Sequence, residues 1–254
     1  MKLYELSRLA DLAYKQPNET EYTFCKRLTS EPLLRRMSIY CFAEDGLEGF
    51  IGFSPLSYHA VVVFRGTEEF VDLKTDLRTW PVANLHGVGY VHRGTQDYLS
   101  NAWDSVWRLL QDMGAVSVSF VGHSLGGMLA VLSSAWLSEF LPNVLITSVV
   151  TFGSPPVGSH SFAKSLDLKL PKKITHVVNC CDLIPRFWPT RLFGLRMTGS
   201  LLYLDRDGKS LVDPSWMTMV GDRLMAVWAA KSLTLSFSHH RRSEYTRKLE
   251  LCGL

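Results

Sequence analysis

An α/β fold with a mostly parallel central sheet, covered by helices on both faces, is predicted by three observations. First, the run HAVVVF at 59–64 is short, continuously apolar and typical of a strand buried on both faces. Second, between 94 and 113 the apolar residues Leu99, Ala102, Trp103, Val106, Leu109, Leu110 and Met113 recur at three and four, the period of a helix with one buried face. Third, strand-like and helix-like segments alternate along a chain of 254 residues that is 46% hydrophobic and 20% charged. That length supports one substantial core, and a single domain over 1–254 is expected.

Taken in order, residues 1–15 carry an amphipathic helical pattern. Residues 38–43 and 48–53 read as paired strands around the turn Glu44-Asp45-Gly46. After the strand at 59–64 and the helix at 94–113, Val116, Val118 and Phe120 alternate with serines as a strand does. The helix that follows carries Gly127, Ala130, Ser133 and Ser134, small enough to pack closely on a sheet. Strands are expected at 144–152 and 174–180, and a hairpin at 200–205 and 210–213 around Asp207-Gly208. Helices over roughly 215–233 and 240–250 complete the chain.

A net charge of +3 is too mild to imply a nucleic-acid partner, although a slightly basic face could help approach to an anionic lipid surface. The N-terminus lacks the pattern of a secretory signal, and no run reaches transmembrane length. Five scattered cysteines, Cys25, Cys41, Cys180, Cys181 and Cys252, fit free thiols in a reducing compartment, so a cytoplasmic setting is the default expectation. Of the adjacent pair, one should face inward and the other toward a loop; no metal-ligand spacing surrounds them. Asp205-Arg206-Asp207-Gly208 lacks the third acidic position and distal glutamate of a calcium loop and reads as a hairpin turn. The aromatics Phe187, Trp188, Phe193 and Trp216 could line an acyl pocket, meet a membrane or pack in the core.

The most informative segment is VSVSFVGHSLGGML at 116–129, which sets Ser124 between Gly122 and Gly126 where a strand turns into a helix. A GxSxG elbow needs a sharp, strained turn, and the two glycines remove β-carbons that would clash where the chain reverses. Ser124 is thereby lifted over a helix N-terminus, where unpaired N–H groups and the dipole favour a developing negative charge. The bland alternative is a serine that merely caps the helix. As a nucleophile, Ser124 needs a base, and the base an orienting acid, which in enzymes built on such an elbow follow in the order Ser, Asp, His. Asp182 lies directly after the strand ITHVVNC, at the edge where such sheets place reactive groups, although it could simply start a turn ahead of Pro185. His59, His86, His92, His123, His160 and His176 precede it and suit packing or surface roles, leaving His239 and His240. Thr67, after the strand end VVVFRGT, is the candidate for a second oxyanion donor beside the N–H of Leu125.

Six motifs in one order carry a family resemblance: FRGT at 64–67, VHRGTQDY at 91–98, GHSLGG at 122–127, TFGSPPVG at 151–158, CDLIPR at 181–186 and HRRSEY at 240–245. From about residue 40 onward the chain resembles the class 3 lipases, the fungal-type α/β-hydrolases. The resemblance implies a triad of Ser124, Asp182 and a histidine, with Thr67 and Leu125 as oxyanion donors and no cofactor or metal. The family commonly places its base five residues before a tyrosine, which His240 and Tyr245 satisfy and His239 does not. It also implies a short amphipathic lid helix at Glu68 to Leu77, with Phe70, Leu73 and Leu77 on one stripe and Asp76 at a position some relatives use to brace the open oxyanion residue. Leu73 stands where a tryptophan is common.

The implied activity is a serine carboxylester hydrolase acting on acylglycerols or similar fatty acyl esters, with transient contact to a lipid surface. The rivals are a phospholipase, thioesterase or acyltransferase using the same triad, and a catalytically silent hydrolase fold that binds a ligand or partner. Labelling by a fluorophosphonate separates the last from the rest.

Overall fold

Two helices, α1 (Leu3–Leu12) and α2 (Glu21–Ser30), open the computed structural model, which describes residues 1–44, 46–67, 80–186, 193–230 and 239–254. An antiparallel meander follows, made of β1 (Ser38–Glu44), β2 (Leu47–Ser54) and β3 (His59–Phe64). Short strands β4 (Pro81–Ala83) and β5 (Tyr90–His92) lead into the long helix α3 (Arg93–Asp112). Next come β6 (Ser117–His123), α4 (Leu125–Phe140), β7 (Leu145–Phe152), the two-residue β8 (Gly158–Ser159), α5 (His160–Lys169) and β9 (Ile174–Asn179). Strands β10 (Leu195–Arg196), β11 (Ser200–Leu204) and β12 (Ser210–Val212) precede α6 (Trp216–Ala230) and α7 (Arg242–Leu251).

The eight-stranded sheet has the order β1-β2-β3-β6-β7-β9-β11-β12. Its centre, from β3 through β6, β7 and β9 to β11, is parallel; both edges are antiparallel. The period of two explains the layers. On β3, Ala60, Val62 and Phe64 join a core shared with α3 and α4, through residues such as Leu99, Trp103, Met128 and Trp136. Val61 and Val63 point the other way, into a core built with Leu6 and Leu9 of α1, Phe24 and Leu28 of α2, and Leu249 of α7. Burying each such side chain contributes about 1.5–3 kcal/mol, which is why the sheet is clad on both faces. The architecture is therefore the α/β-hydrolase fold, with a mixed, mostly parallel sheet flanked by helices on both faces.

The small residues of α4 sit as expected: Gly127, Ala130, Ser133 and Ser134 are all buried between sheet and α3. The hairpin β11–β12 also forms, with the Asp205 N–H donating to the Lys209 carbonyl and Gly208 at φ 83°. Helices α2 and α5 were not anticipated. Each buries only two or three side chains, Phe24 and Leu28 in one and Phe162, Ala163 and Leu166 in the other, too few to show a period. Their capping is local, however: Thr20 and Ser159 accept from the N–H groups of Thr23 and Phe162. The second sheet, β10-β8-β5-β4, consists of strands of two or three residues whose ladder partners are remote in sequence. The expected lid residues Phe70, Leu73, Asp76 and Leu77 lie outside the described residues, as do Phe187 and Trp188.

Two expectations about cysteine require correction. Cys25 on α2 and Cys41 on β1 form a disulfide, whereas free thiols were expected throughout. Such a bond persists in an oxidising compartment and is rare in the cytoplasm, so it overturns the cytoplasmic default. The pairing was illegible because it depends on α2 docking against β1, a tertiary event. Cys180 and Cys181 are both buried, at 0% and 5% exposed, whereas one was expected toward a loop. With its cysteines 16 positions apart, the Cys25–Cys41 bond restricts the unfolded chain, and opening it by Cys25→Ser with Cys41→Ser is expected to cost about 3 kcal/mol. Denaturant titration of the two forms measures that difference, and equal midpoints would deny the bond any part in stability.

Candidate active site

The C-terminal ends of β3 and β6 lie side by side, with Phe64 opposite Gly122. Two residues beyond Gly122, Ser124 adopts φ 57° and ψ −123°, a conformation a non-glycine residue rarely holds. Its N–H donates to the Phe152 carbonyl at 2.9 Å, pinning the strained residue to β7. A β-carbon on Gly122 would stand 2.1 Å from the Gly126 carbonyl oxygen, so this turn closes only with glycine there. Leu125 opens α4 directly, and Thr67 lies three residues past the end of β3, half-buried on the same edge.

Asp182 follows the end of β9 and is fully buried, while His240 precedes α7. The three side chains converge. Nε2 of His240 lies 3.1 Å from Ser124 Oγ, and its Nδ1 lies 2.8 Å from Asp182 Oδ2. Asp182 collects two further donors: the Tyr245 hydroxyl donates to Oδ2 at 2.5 Å and the Ile184 N–H to Oδ1 at 2.9 Å. Tyr245 in turn accepts from the Asn179 N–H. Burial, and then the neighbouring Asp182 charge, hold the Tyr245 pKa well above 10.0, so this phenol stays a donor. Gly153, at φ 61°, covers the pair: a β-carbon there would come 2.8 Å from Asp182 Oδ2 and 3.0 Å from His240 Nδ1. His239 points elsewhere, toward Cys180 Sγ at 3.7 Å.

Behind these residues runs a hydrogen-bond chain that sequence reading missed. The Gly66 N–H donates to the Tyr14 hydroxyl at 3.1 Å, and that hydroxyl lies 3.4 Å from His123 Nδ1. His123 Nε2 lies 2.8 Å from the His240 carbonyl oxygen, which can only accept, so Nε2 carries the proton and Nδ1 accepts from Tyr14. Desolvation, reinforced by the nearby His240, keeps the His123 pKa well below 6.5, and the ring is neutral. Burial raises the Tyr14 pKa to about 12, so it too keeps its proton. The chain links the loop before Thr67 to the backbone of His240 through the residue next to Ser124. Sequence periodicity predicted a helix at 1–15 but carried no signal that Tyr14 would reach this site.

His92 and His176 are likewise buried, with pKa values pushed down to about 4 by desolvation. His176 is held between the hydroxyls of Thr151 and Thr198. Unfolding returns such rings to the ordinary range near 6.5, so between 6.5 and 4 the unfolded chain binds more protons than the folded one. Stability is therefore expected to be complete above pH 6.5 and to fall on acidification, each of these two rings adding a slope of up to about 1.4 kcal/mol per pH unit. Urea midpoints measured from pH 7 to pH 4.5 check the sign; a flat profile would mean these rings titrate normally in the fold.

A hydroxyl within hydrogen-bond reach of an imidazole, a buried carboxylate on the far side of that imidazole and a helix N-terminus on one sheet edge are together the arrangement that nucleophilic acyl transfer requires. The fold and this arrangement are of the serine-hydrolase type, as in lipases and esterases. Residues 61–192 match the family Lipase (class 3), just over half of the chain, and the protein belongs to that family. It is similar to the Caenorhabditis elegans lipase ZK262.3, with 31% identity over 168 residues, 61% of this chain and 46% of the relative. It is also similar to the secreted mono- and diacylglycerol lipase MDL2 of Malassezia globosa, 30% identical over 112 residues, 44% of this chain and 36% of the relative. Each match spans less than half of the relative's own length. Among solved structures, the Rhizomucor miehei lipase in its propeptide complex superposes with a TM-score of 0.67 at 20% identity, over 82% of this chain and 69% of that one.

Proposed function

We propose that this protein is a lipase that hydrolyses acylglycerols or closely related fatty acyl esters at a lipid surface, acting as one domain. The observation that carries the reading is the hydrogen-bonded line from Ser124 Oγ through His240 to buried Asp182. In the proposed cycle His240 takes the Ser124 proton as Oγ attacks the ester carbonyl, and Asp182 stabilises the imidazolium. The N–H groups of Leu125 and Thr67 receive the tetrahedral oxyanion, each worth roughly 3 kcal/mol in comparable sites. His240 then protonates the departing alcohol. Water, deprotonated by the same ring, attacks the acyl-enzyme and releases the fatty acid.

A lipid surface rather than a soluble ester is favoured by α6, the helix that leads toward His240. Trp216, Met217, Leu224 and Trp228 on it are 66–78% exposed. At 100° per residue these four fall within about a third of the helix circumference, forming one apolar face. Two tryptophans suit the interfacial zone of a membrane, where an apolar ring and a polar N–H are both satisfied. The secreted Malassezia relative, whose name specifies mono- and diacylglycerols, supports the same substrate class.

A hydrolysis profile across p-nitrophenyl esters of increasing chain length, emulsified diacylglycerols and phospholipid vesicles tests the proposal. The expected result is release of long-chain fatty acid from the emulsion, with a rise in rate once substrate aggregates. Cleavage confined to the shortest soluble esters would overturn the lipase reading, and fatty acid released only from phospholipid would move it to a phospholipase. Covalent labelling by a fluorophosphonate at Ser124, located by peptide mass mapping, separates any of these enzymes from a silent binding fold.

A further inference from the structure

Beside the triad, but sharing none of its side chains, lie three groups that the fold gathers from two distant segments. Cys180 Sγ and Cys181 Sγ are 3.5 Å apart, and His239 Nδ1 is 3.7 Å from Cys180 Sγ. The three candidate ligand atoms all fall within 4.8 Å of one another. We propose that Cys180, Cys181 and His239 bind a thiophilic closed-shell cation, Zn2+, which clamps the segment before His240 to the end of β9.

The spacing fits the ion. With Zn–S near 2.3 Å and Zn–N near 2.0–2.1 Å, tetrahedral ligation separates two sulfurs by about 3.8 Å and a sulfur from a nitrogen by about 3.6 Å. The observed 3.5 and 3.7 Å at Cys180 need shifts of only a few tenths of an ångström, and the remaining edge, from Cys181 Sγ to His239 Nδ1, lies within 4.8 Å and closes by rotation of the Cys181 or His239 side chain. Two thiolates and an imidazole neutralise a dication and are the soft donor set that selects zinc over magnesium or calcium. The contact with Cys181 and burial hold the Cys180 thiol pKa up while the same contact lowers that of Cys181, so the ion itself must displace the Cys180 proton, with the Lys248 ammonium the neighbouring charge that eases it. Lys248, 3% exposed, places Nζ 3.9 Å from Cys180 Sγ while donating to the Asp205 carbonyl, and Arg223 Nε donates to the Cys180 carbonyl at 2.8 Å. On binding, each thiol transfers its proton to solvent, and water takes the fourth position.

The ligands are chain neighbours of Asp182 and His240, and both ring nitrogens of His240 are already engaged by Asp182 and Ser124. The ion would therefore act mechanically. It would add a bond to a junction that otherwise includes the Asn179 side-chain amide donating to the His239 carbonyl at 3.0 Å. Its effect on hydrolysis rests on the proposed triad; its binding does not.

The test uses the full chain, gently reduced, with the Cys25–Cys41 bond verified by peptide mapping, and titrated with Zn2+ alone against a chromogenic chelator. One equivalent is expected to bind, to raise Tm, and to protect Cys180 and Cys181, but not Cys252, from alkylation. Cd2+ in place of Zn2+ should give a thiolate charge-transfer band. His239→Ala is expected to weaken affinity by about 100-fold or more, since losing an outer-shell partner alone costs 10–100-fold. Failure of the protein to take up Zn2+ while both thiols are demonstrably reduced would overturn the site, as would uptake undiminished in H239A and in C180S/C181S. Because burial alone already shields Cys180 and Cys181 from alkylation, the Zn2+ stoichiometry and the Cd2+ charge-transfer band of the unmodified protein decide the matter even where a variant does not fold, and both are read without any measurement of hydrolysis.

Discussion

Alanine at position 124 is expected to lower kcat by about 10⁶-fold, the scale seen when the nucleophile of a comparable triad is removed. The expected loss is this large because in the proposed cycle Oγ is the only atom of the site that forms the covalent bond; what would remain is oxyanion binding and orientation, acting on water. Folding should survive the change. The unusual backbone of Ser124 is held by its own N–H to the Phe152 carbonyl and by the close approach of Gly122 to Gly126, neither of which involves the hydroxyl. Stability within about 1 kcal/mol of the original is therefore expected, as for substitutions that leave packing intact. Active-site titration together with calorimetry gives both quantities, and hydrolysis persisting in a folded S124A protein would place the nucleophile elsewhere.

Asp182→Asn should be the next most damaging change, with kcat lower by about 10⁴-fold, as for the equivalent substitution in a well-studied triad. Three donors converge on this carboxylate, from His240, Tyr245 and Ile184, and a carboxylate can accept them all. An amide cannot. Its NH₂ group must oppose one of those donors, and opposing His240 Nδ1–H drives the imidazole to the tautomer that cannot take the Ser124 proton. Tyr245→Phe leaves the carboxylate with His240 and Ile184, and a milder loss is expected, about tenfold in kcat, with 1.5–3 kcal/mol of stability from one charge-assisted hydrogen bond. Measuring kcat for both variants at saturating ester distinguishes the roles. Should D182N retain a tenth or more of the activity, another carboxylate orients the base.

How far this arrangement could be read from the sequence depended on whether each signal was local. Ser124 was legible because the elbow is made of neighbours: the glycines on either side, the strand before and the helix after. Asp182 was legible from its place at a strand end and its order in the chain. His240 was not separable from His239 by local pattern, since both adjoin the same arginines, and the spacing to Tyr245 distinguished them only through a family resemblance. The fold supplies the physical reason for that spacing: one turn into α7, Tyr245 reaches back to the carboxylate that also holds His240. Tyr14, the Cys25–Cys41 bond and the approach of His239 to Cys180 were invisible for one common reason. Each joins segments whose contact exists only after the layers have packed, and no residue near Tyr14, Cys25 or His239 hints at its partner.

The anchoring of His240 by its carbonyl to His123 sets how the base can work. With the main chain tethered there, the proton shuttling of the proposed cycle would be confined to small torsions about the imidazole's own side-chain bonds. A neutral, deeply desolvated His123 is well suited to that duty, because a ring that gained charge during turnover would repel the imidazolium forming 4.6 Å away. In the proposed cycle two histidines in contact thus divide their labour: His240 relays the proton while His123 stays neutral beside it.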